Sequence, residues 1–317
     1  MKVLVTPTSF GKGKSSKAKE LLEQFTGDIV YNPYGKPLSE EEIIPLLQGV
    51  DGCIAGLDYI SARVLDNAPK SLKVISRYGV GVDRVDIAAA ARRGIVVTNT
   101  PGVNAQAVAD MAFGLMLCTA RRISALDKRV KAGEWPRTNG TELYGKTLGV
   151  VGLGAIGKGV ALRAQGFSMK VLAYDPYMDR AFAGENRIEE VSLADLTERA
   201  DFISLHIPLN EHTKKIINAE VIAKMKDGAI IINTSRGGLI DEAAAYTALK
   251  SGKLGGLGLD AFETEPPGAS PLFELDNVVA TPHAGAHTVE AVENMGLMSV
   301  QNLIEVLSGR ECRYIVK

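Results

Sequence analysis

Residues 147–157, TLGVVGLGAIG, restrict the possible folds of this chain more than any other segment. A β-branched run ends at Val151 and is followed by glycines at positions 152, 154 and 157. Gly152 permits a tight turn, Gly154 lets the backbone approach a pyrophosphate, and Gly157 allows close packing of a helix on the strand. We therefore expect a strand, a glycine-rich turn and a helix within a doubly wound parallel α/β domain.

The next predicted strand, KVLAYD, ends at Asp175. A carboxylate there can accept hydrogen bonds from both ribose hydroxyls and would repel a 2′-phosphate, which favours NAD over NADP. The helix N-terminus offers free N–H groups to the phosphates. Taken alone, the segment also fits a methyltransferase that binds an adenosine ligand, or a purely structural turn.

Length and composition indicate two globular domains. The 317 residues exceed one ordinary domain, and β-branched runs alternate with amphipathic segments on both sides of a long helical pattern at 104–132. We expect ten strands, at 2–6, 51–55, 73–77, 96–99, 147–151, 170–174, 201–206, 229–233, 255–259 and 277–280. A final helix is predicted at about 287–308. Ligands commonly bind in the cleft between two such domains.

Charge and cysteine content exclude several classes of function. The 36 basic and 37 acidic residues leave a net charge of -1, so no overall field attracts nucleic acid or an anionic membrane. The three cysteines are widely spaced, which predicts reduced thiols and no metal site. The N-terminal apolar run is too short for a signal peptide, and no run approaches the length of a membrane span. We expect a soluble, cytoplasmic protein.

Three residues that follow successive predicted strands have the chemistry of a redox site. Arg236 follows AIIIN, Glu265 follows GGLGL, and His283 follows NVVA. Open α/β sheets bind ligands at the carboxyl ends of their strands. The three other histidines, at 206, 212 and 287, lack such neighbours.

A 2-oxo acid matches this set of groups. A guanidinium grips its carboxylate by charge-assisted hydrogen bonds. An imidazolium donates the proton that accompanies hydride transfer to the carbonyl, and an adjacent carboxylate orients the ring and favours its protonated form. The sequence therefore predicts catalysis by Arg236, Glu265 and His283.

With these residues, the chain resembles the D-isomer-specific 2-hydroxyacid dehydrogenases, most closely their short-form phosphoglycerate dehydrogenase branch. The likeness rests on SRYGVGVD, GIVVTNTP, GTELYGKTLGVVGLGAIG, INTSRGGLIDE, LDAFETEPP and TPHAGAH, in this order. It implies a Rossmann NAD-binding domain at 100–287, inserted into a flavodoxin-like substrate domain made of 1–99 and 288–317.

The resemblance also implies roles for individual residues. Asp260 would hold the nicotinamide carboxamide, and the backbone at Val80 and Gly81 would bind the substrate carboxylate. The expected cofactor-binding residues are Gly152, Gly154, Ala155, Ile156, Gly157, Asp175, His206, Pro208, Thr213, Thr234, Ser235, Asp260 and Gly285. The family is usually dimeric through the 104–132 region. Arg77 and Arg137 are candidate substrate contacts, Arg137 in the partner's site or else as a solvated surface charge.

The chain departs from the family pattern at a few positions. Ala155 stands where many relatives carry Arg, Asp110 where Glu is usual, and His287 where Ser or Thr is common. Ala155 removes one possible pyrophosphate contact, which weakens NAD binding, and the differences leave the catalytic chemistry intact. The sequence ends at Lys317, so we do not expect serine feedback through a C-terminal regulatory domain.

Several functions stay open. The first is oxidation of 3-phospho-D-glycerate, with Lys12, Lys14, Arg77 and Arg137 as possible phosphate contacts; the lysines fit a solvated loop equally well. The alternative is a glyoxylate or hydroxypyruvate reductase. Glu265 argues against the formate dehydrogenase branch, which carries glutamine there. An NAD-sensing corepressor is the remote alternative.

Overall fold

The computed structural model describes residues 1–12 and 15–316, which form two compact units. One unit consists of Met1–Asn104 with His287–Lys317, and the other of Ala105–Ala286. Each contains a parallel sheet with packed helices. The expected fold class, two doubly wound α/β domains, is confirmed.

The first unit is built on a five-stranded parallel sheet. Its strands are β1 (Lys2–Val5), β2 (Asp28–Tyr31), β3 (Gly52–Ala55), β4 (Val74–Arg77) and β5 (Val96–Thr98). Its helices are α1 (Lys17–Phe25), α2 (Glu40–Leu46), α3 (Ala62–Asp66), α4 (Ile87–Arg92) and, from the C-terminal segment, α12 (Val289–Leu307). The strand order β2-β1-β3-β4-β5 is flavodoxin-like.

The second unit is built on a seven-stranded parallel sheet of order β12-β11-β10-β9-β6-β7-β8. These strands are β6 (Thr147–Val151), β7 (Lys170–Tyr174), β8 (Glu189–Glu190), β9 (Phe202–Leu205), β10 (Ala229–Asn233), β11 (Leu254–Leu259) and β12 (Val278–Ala280). Its helices are α5 (Ala105–Ala120), α6 (Ile123–Lys131), α7 (Ala155–Gly166), α8 (Arg180–Glu185), α9 (Leu193–Arg199), α10 (Ala219–Lys224) and α11 (Glu242–Ser251), with short 3-10 turns at Gly237–Leu239 and Pro271–Glu274. Strands β7 and β8 extend the sheet on one side of β6, and β9 to β12 extend it on the other. The carboxyl ends of β6 and β9 therefore flank the point at which doubly wound folds bind ligands.

Helix α5 covers one face of this sheet. It is apolar nearly all round and packs on α7, β10 and β11. Glycines on β11 permit this close approach: a Cβ at Gly258 would lie 3.1 Å from Leu115 Cβ. Every residue of β9 and β10 is buried, whereas residues that follow the carboxyl ends of these strands, such as His206 and Thr234, are partly exposed.

The structure differs from the sequence-based expectation in two places. Strands β2 and β8 were missed, because one is a partly exposed edge strand and the other has only two residues. The helical pattern at 104–132 is two helices, α5 and α6. It breaks at Arg122, which adopts a left-handed backbone with φ 54°.

Among the described residues, no helix has both the length and the apolarity needed to cross a membrane. Cys53, Cys118 and Cys312 are free thiols.

Candidate active site

His283 and Glu265 form a close pair beyond the ends of β12 and β11. His283 Nδ1 lies 3.0 Å from each carboxylate oxygen of Glu265. The side chains are 28% and 18% exposed, so the pair is partly shielded and still reachable. Because Nδ1 faces the carboxylate, Nε2 is the nitrogen left to exchange a proton with a ligand.

The loop that carries His283 is held by Asp260, a residue only 2% exposed. Its Oδ1 accepts hydrogen bonds from Thr281 Oγ1 at 2.6 Å and from Ala284 N at 2.8 Å. Its Oδ2 accepts from Gly285 N at 2.7 Å. These bonds hold His283 in a left-handed conformation with φ 52°, which histidine adopts more readily than most residues. Sequence reasoning missed this supporting role of Asp260.

Arg236 lies at the same edge of the sheet as the pair, because β10, β11 and β12 are parallel neighbours. Its loop is fixed by Asn233, whose Nδ2 donates to Arg236 O at 2.7 Å and whose Oδ1 accepts from Ser235 N at 3.0 Å. The guanidinium donates to Ser235 O at 2.8 Å and is partly exposed. A cation thus lies in the loop after β10, the strand next to the one that leads to Glu265.

The glycine-rich turn has the expected strand–turn–helix form. Gly152 has φ 97°, and a Cβ there would lie 2.6 Å from His206 O. A Cβ at Gly157 would overlap Gly152 O, so both positions require glycine. Gly154 is different: open space surrounds its missing Cβ, at the start of α7. That space leaves room for a phosphate at the helix N-terminus, whose first turn contains Ala155 and Ile156.

Asp175 is bonded to the turn itself. Its Oδ2 accepts from Leu153 N at 2.7 Å, and its Oδ1 accepts from Tyr177 N at 2.8 Å. Carboxylate oxygens have further lone pairs with which to accept ribose hydroxyls. Asp175 therefore fixes the loop and places a carboxylate beside the glycine-rich turn.

Residues after β9 and β10 form the adjoining edge. Ser235 Oγ donates to Ile207 O at 2.6 Å and joins the two loops, while Thr213 Oγ1 donates to Pro208 O at 2.7 Å. Thr234 Oγ1 is buried without a hydrogen-bond partner among the described residues. Such an orphaned polar atom, at the carboxyl end of the same sheet as the glycine-rich turn, fits a dinucleotide that binds along this edge.

His206 is a neutral imidazole. Its Nε2 lies 2.8 Å from Ser204 Oγ, and burial lowers the pKa of His206 to about 3. Its Nδ1 is buried and, within residues 1–12 and 15–316, has no hydrogen-bond partner.

The candidate substrate residues of the first unit lie in and after β4. Arg77 is 4% exposed; its guanidinium donates to the carbonyls of Ala55 and Gly56 and, at 3.0 Å, to Gly81 O. It therefore braces the loop that contains Val80, whose carbonyl accepts from Asn99 Nδ2 at 2.8 Å.

The other candidate phosphate contacts are Lys12, Lys14 and Arg137. Lys12 and Arg137 are exposed, and Lys14 lies outside the described residues.

Comparison with known proteins decides the family. Residues 113–285 match the model for "D-isomer specific 2-hydroxyacid dehydrogenase, NAD binding domain". The chain belongs to the D-isomer specific 2-hydroxyacid dehydrogenase family. Its NAD-binding domain is the second unit, which confirms the expected cofactor class.

Two similar relatives are named for different substrates. The chain is 45% identical to "D-3-phosphoglycerate dehydrogenase" of Methanocaldococcus jannaschii, over 88% of this chain and 54% of that protein. It is 46% identical to "Hydroxypyruvate reductase" of Thermotoga maritima, over 85% of this chain and 89% of that protein. The chain thus spans about half the length of the phosphoglycerate dehydrogenase. The crystal structure of the TT0316 protein from Thermus thermophilus matches all of both chains with a TM-score of 0.89 and 40% identity.

Proposed function

We propose that this protein is an NAD-dependent oxidoreductase of a D-2-hydroxy acid, with 3-phospho-D-glycerate as the first candidate substrate. The observation that carries the proposal is the contact of His283 Nδ1 with the Glu265 carboxylate, one strand from Arg236. The imidazole, the carboxylate and the guanidinium are the groups that the reduction of a 2-oxo acid requires. NAD supplies the hydride acceptor when it is bound.

Each residue of the chain then has a defined task. Arg236 grips the substrate carboxylate, and the backbone at Val80 and Gly81 is a second proposed carboxylate contact. His283 Nε2 takes the hydroxyl proton in oxidation and returns it in reduction, while Glu265 holds the ring in place. For the cofactor, the 152–157 turn would bind the pyrophosphate and Asp175 would bind the ribose. Thr234 and Asp260 would bind the nicotinamide end.

A glyoxylate or hydroxypyruvate reductase is the second candidate, and Arg77 favours it. A phosphorylated substrate needs cations for its phosphate, and Arg77 is instead buried against backbone carbonyls. Lys12 and Arg137 are the described cations of the original set that are exposed. The hydroxypyruvate reductase relative also matches this chain over most of its own length.

Initial rates separate these candidates. We expect NAD-linked oxidation of 3-phosphoglycerate to exceed that of D-glycerate and D-lactate. If 3-phosphoglycerate is inert while hydroxypyruvate and glyoxylate are rapidly reduced with NADH, the second candidate is correct. A protein that binds NADH and reduces no 2-oxo acid would refute both and support an NAD-sensing role.

We further propose a cytoplasmic homodimer that associates through α5 and α6. Helix α6 has no buried residue, and Ile123, Val130 and Trp135 are 47%, 47% and 81% exposed. Exposed apolar side chains of this kind mark association surfaces. Sedimentation equilibrium tests the dimer: a mass of twice the 33.8 kDa of one chain supports it, and the mass of a single chain contradicts it.

Subunit mixing tests whether Arg137 serves the partner's site. If it does, mixed dimers of Arg137→Ala and His283→Ala subunits contain one intact site and regain activity. If it is a surface charge, Arg137→Ala is fully active alone.

A further inference from the structure

The loop that carries Arg236 touches the loop that carries Glu265. The turn Gly237–Leu239 lies directly against the other loop, and a Cβ at Gly237 would overlap the main chain of Phe262 and Glu263. Two of the three groups proposed for catalysis therefore stand on backbone segments in contact. A residue that fixes one segment against the other would act on both groups.

Glu242 makes such a connection from the first turn of α11. Its Oε1 accepts a hydrogen bond from Glu263 N at 2.8 Å. The helix start is anchored separately, because the N-cap Asp241 accepts from Ala244 N at 3.2 Å and pairs with Lys215 at 3.1 Å. Burial raises the pKa of the Glu242 carboxyl, and the charge of Glu263 adds to this rise. A partly buried acid thus accepts a backbone N–H from another loop.

We propose that Glu242 is a positioning residue for the acid–base pair. Its carboxylate fixes the 262–265 segment against the Arg236 loop and so sets the placement of Glu265 beside His283. The catalytic part of this inference rests on the proposed function, whereas the structural part does not.

The route from Glu242 to His283 is short. Phe262 N donates to Glu265 Oε1 at 3.2 Å, and the same oxygen lies 3.0 Å from His283 Nδ1. A shift of the main chain at 262–263 therefore moves an atom that touches the imidazole. Glu263 is exposed, so water can replace the lost acceptor. Removing Glu242 should consequently disturb the pair more than the overall stability.

Three variants test the proposal. Glu242→Ala removes the acceptor, Glu242→Gln keeps an amide oxygen of the same reach, and Glu220→Ala is the matched control. Glu220 also lies in a first turn, that of α10, and is exposed. Amide hydrogen exchange over 262–265 reports the contact without any substrate. Kinetics with NADH and the best 2-oxo acid, together with NADH titration, report its consequence.

We expect Glu242→Ala to speed exchange at Glu263 and to lower kcat by about tenfold, because small misplacements of catalytic groups are costly. The KM for the 2-oxo acid should change much less than kcat, since the displaced pair acts on proton transfer and not on the grip of Arg236. NADH affinity should be unchanged, Glu242→Gln should restore most of the rate, and Glu220→Ala should match the wild type.

Wild-type exchange and wild-type kcat in Glu242→Ala would overturn the proposal. Equal losses of kcat in Glu242→Gln and Glu242→Ala would overturn it too, because they indicate a general structural role. If the wild type reduces no 2-oxo acid, the proposed function fails, and the exchange data alone then decide whether Glu242 fixes the segment.

Discussion

Asp260→Asn is the most informative single substitution in the second unit. In the wild type one oxygen accepts from Gly285 N at 2.7 Å and the other from Ala284 N at 2.8 Å. The amide of asparagine has one oxygen and one NH2 group. In either orientation the NH2 group faces a backbone N–H, so one donor loses its partner. The Thr281 hydroxyl can rotate and does not relieve this conflict.

The loss of one backbone partner costs about 1–3 kcal/mol. Opening of the 281–285 loop should become easier by that amount, and exchange of the Ala284 and Gly285 amides should accelerate by about 5- to 150-fold, at tenfold per 1.4 kcal/mol. Because His283 lies on this loop, kcat should fall by about 10²-fold.

Local exchange is the proper assay for Asp260→Asn, because a chain of two units need not unfold in a single transition. Thr281→Val is the control. It removes one side-chain donor, leaves both backbone bonds to Asp260, and should accelerate exchange much less. Wild-type exchange at Ala284 and Gly285 in Asp260→Asn would refute the supporting role of Asp260.

Three further substitutions probe the site. His283→Ala should lower kcat by about 10²-fold or more while NADH affinity persists; a smaller loss would exclude His283 as the acid–base group. Asp175→Ala should lower the NAD-to-NADP ratio of kcat/KM by about tenfold or more, and should also raise the KM for NAD because Leu153 N loses its acceptor; an unchanged ratio contradicts the charge argument. For His206, whose pKa falls from 6.5 to about 3 on folding, only the unfolded state takes up a proton between these values. The stability of the second unit should therefore fall by about 1 kcal/mol from pH 6.5 to 5.5, and His206→Asn should reduce this fall in urea titrations that follow the unfolding of that unit; an equal fall in both proteins would argue against a neutral His206.

The sequence predicted the features that depend on local pattern. Short apolar runs, most of them β-branched, identified ten of the strands, and three glycines identified the turn before α7. The break at Arg122 was missed because apolar residues continue through the pattern, and the left-handed conformation of Arg122 is a consequence of packing. Strand β2 was missed because it is a short, partly exposed edge strand.

Supporting contacts were harder to predict than site residues. Asp260 and Glu242 act through backbone N–H groups more than twenty positions away, at 284–285 and at 263. No spacing rule identifies such partners, because only the folded loops bring them together. Arg77 shows the converse: a cation next to a predicted carboxylate-binding loop suggested a substrate contact, and the structure places its guanidinium on backbone carbonyls.

The most direct test is a crystal structure of the protein with NADH and oxamate, an unreactive analogue of a 2-oxo acid. We expect the carbonyl oxygen of oxamate about 2.6–3.2 Å from His283 Nε2, its carboxylate on Arg236, and Glu265 still on Nδ1. Oxamate bound elsewhere, or with its carbonyl out of reach of His283, would contradict the proposed chemistry.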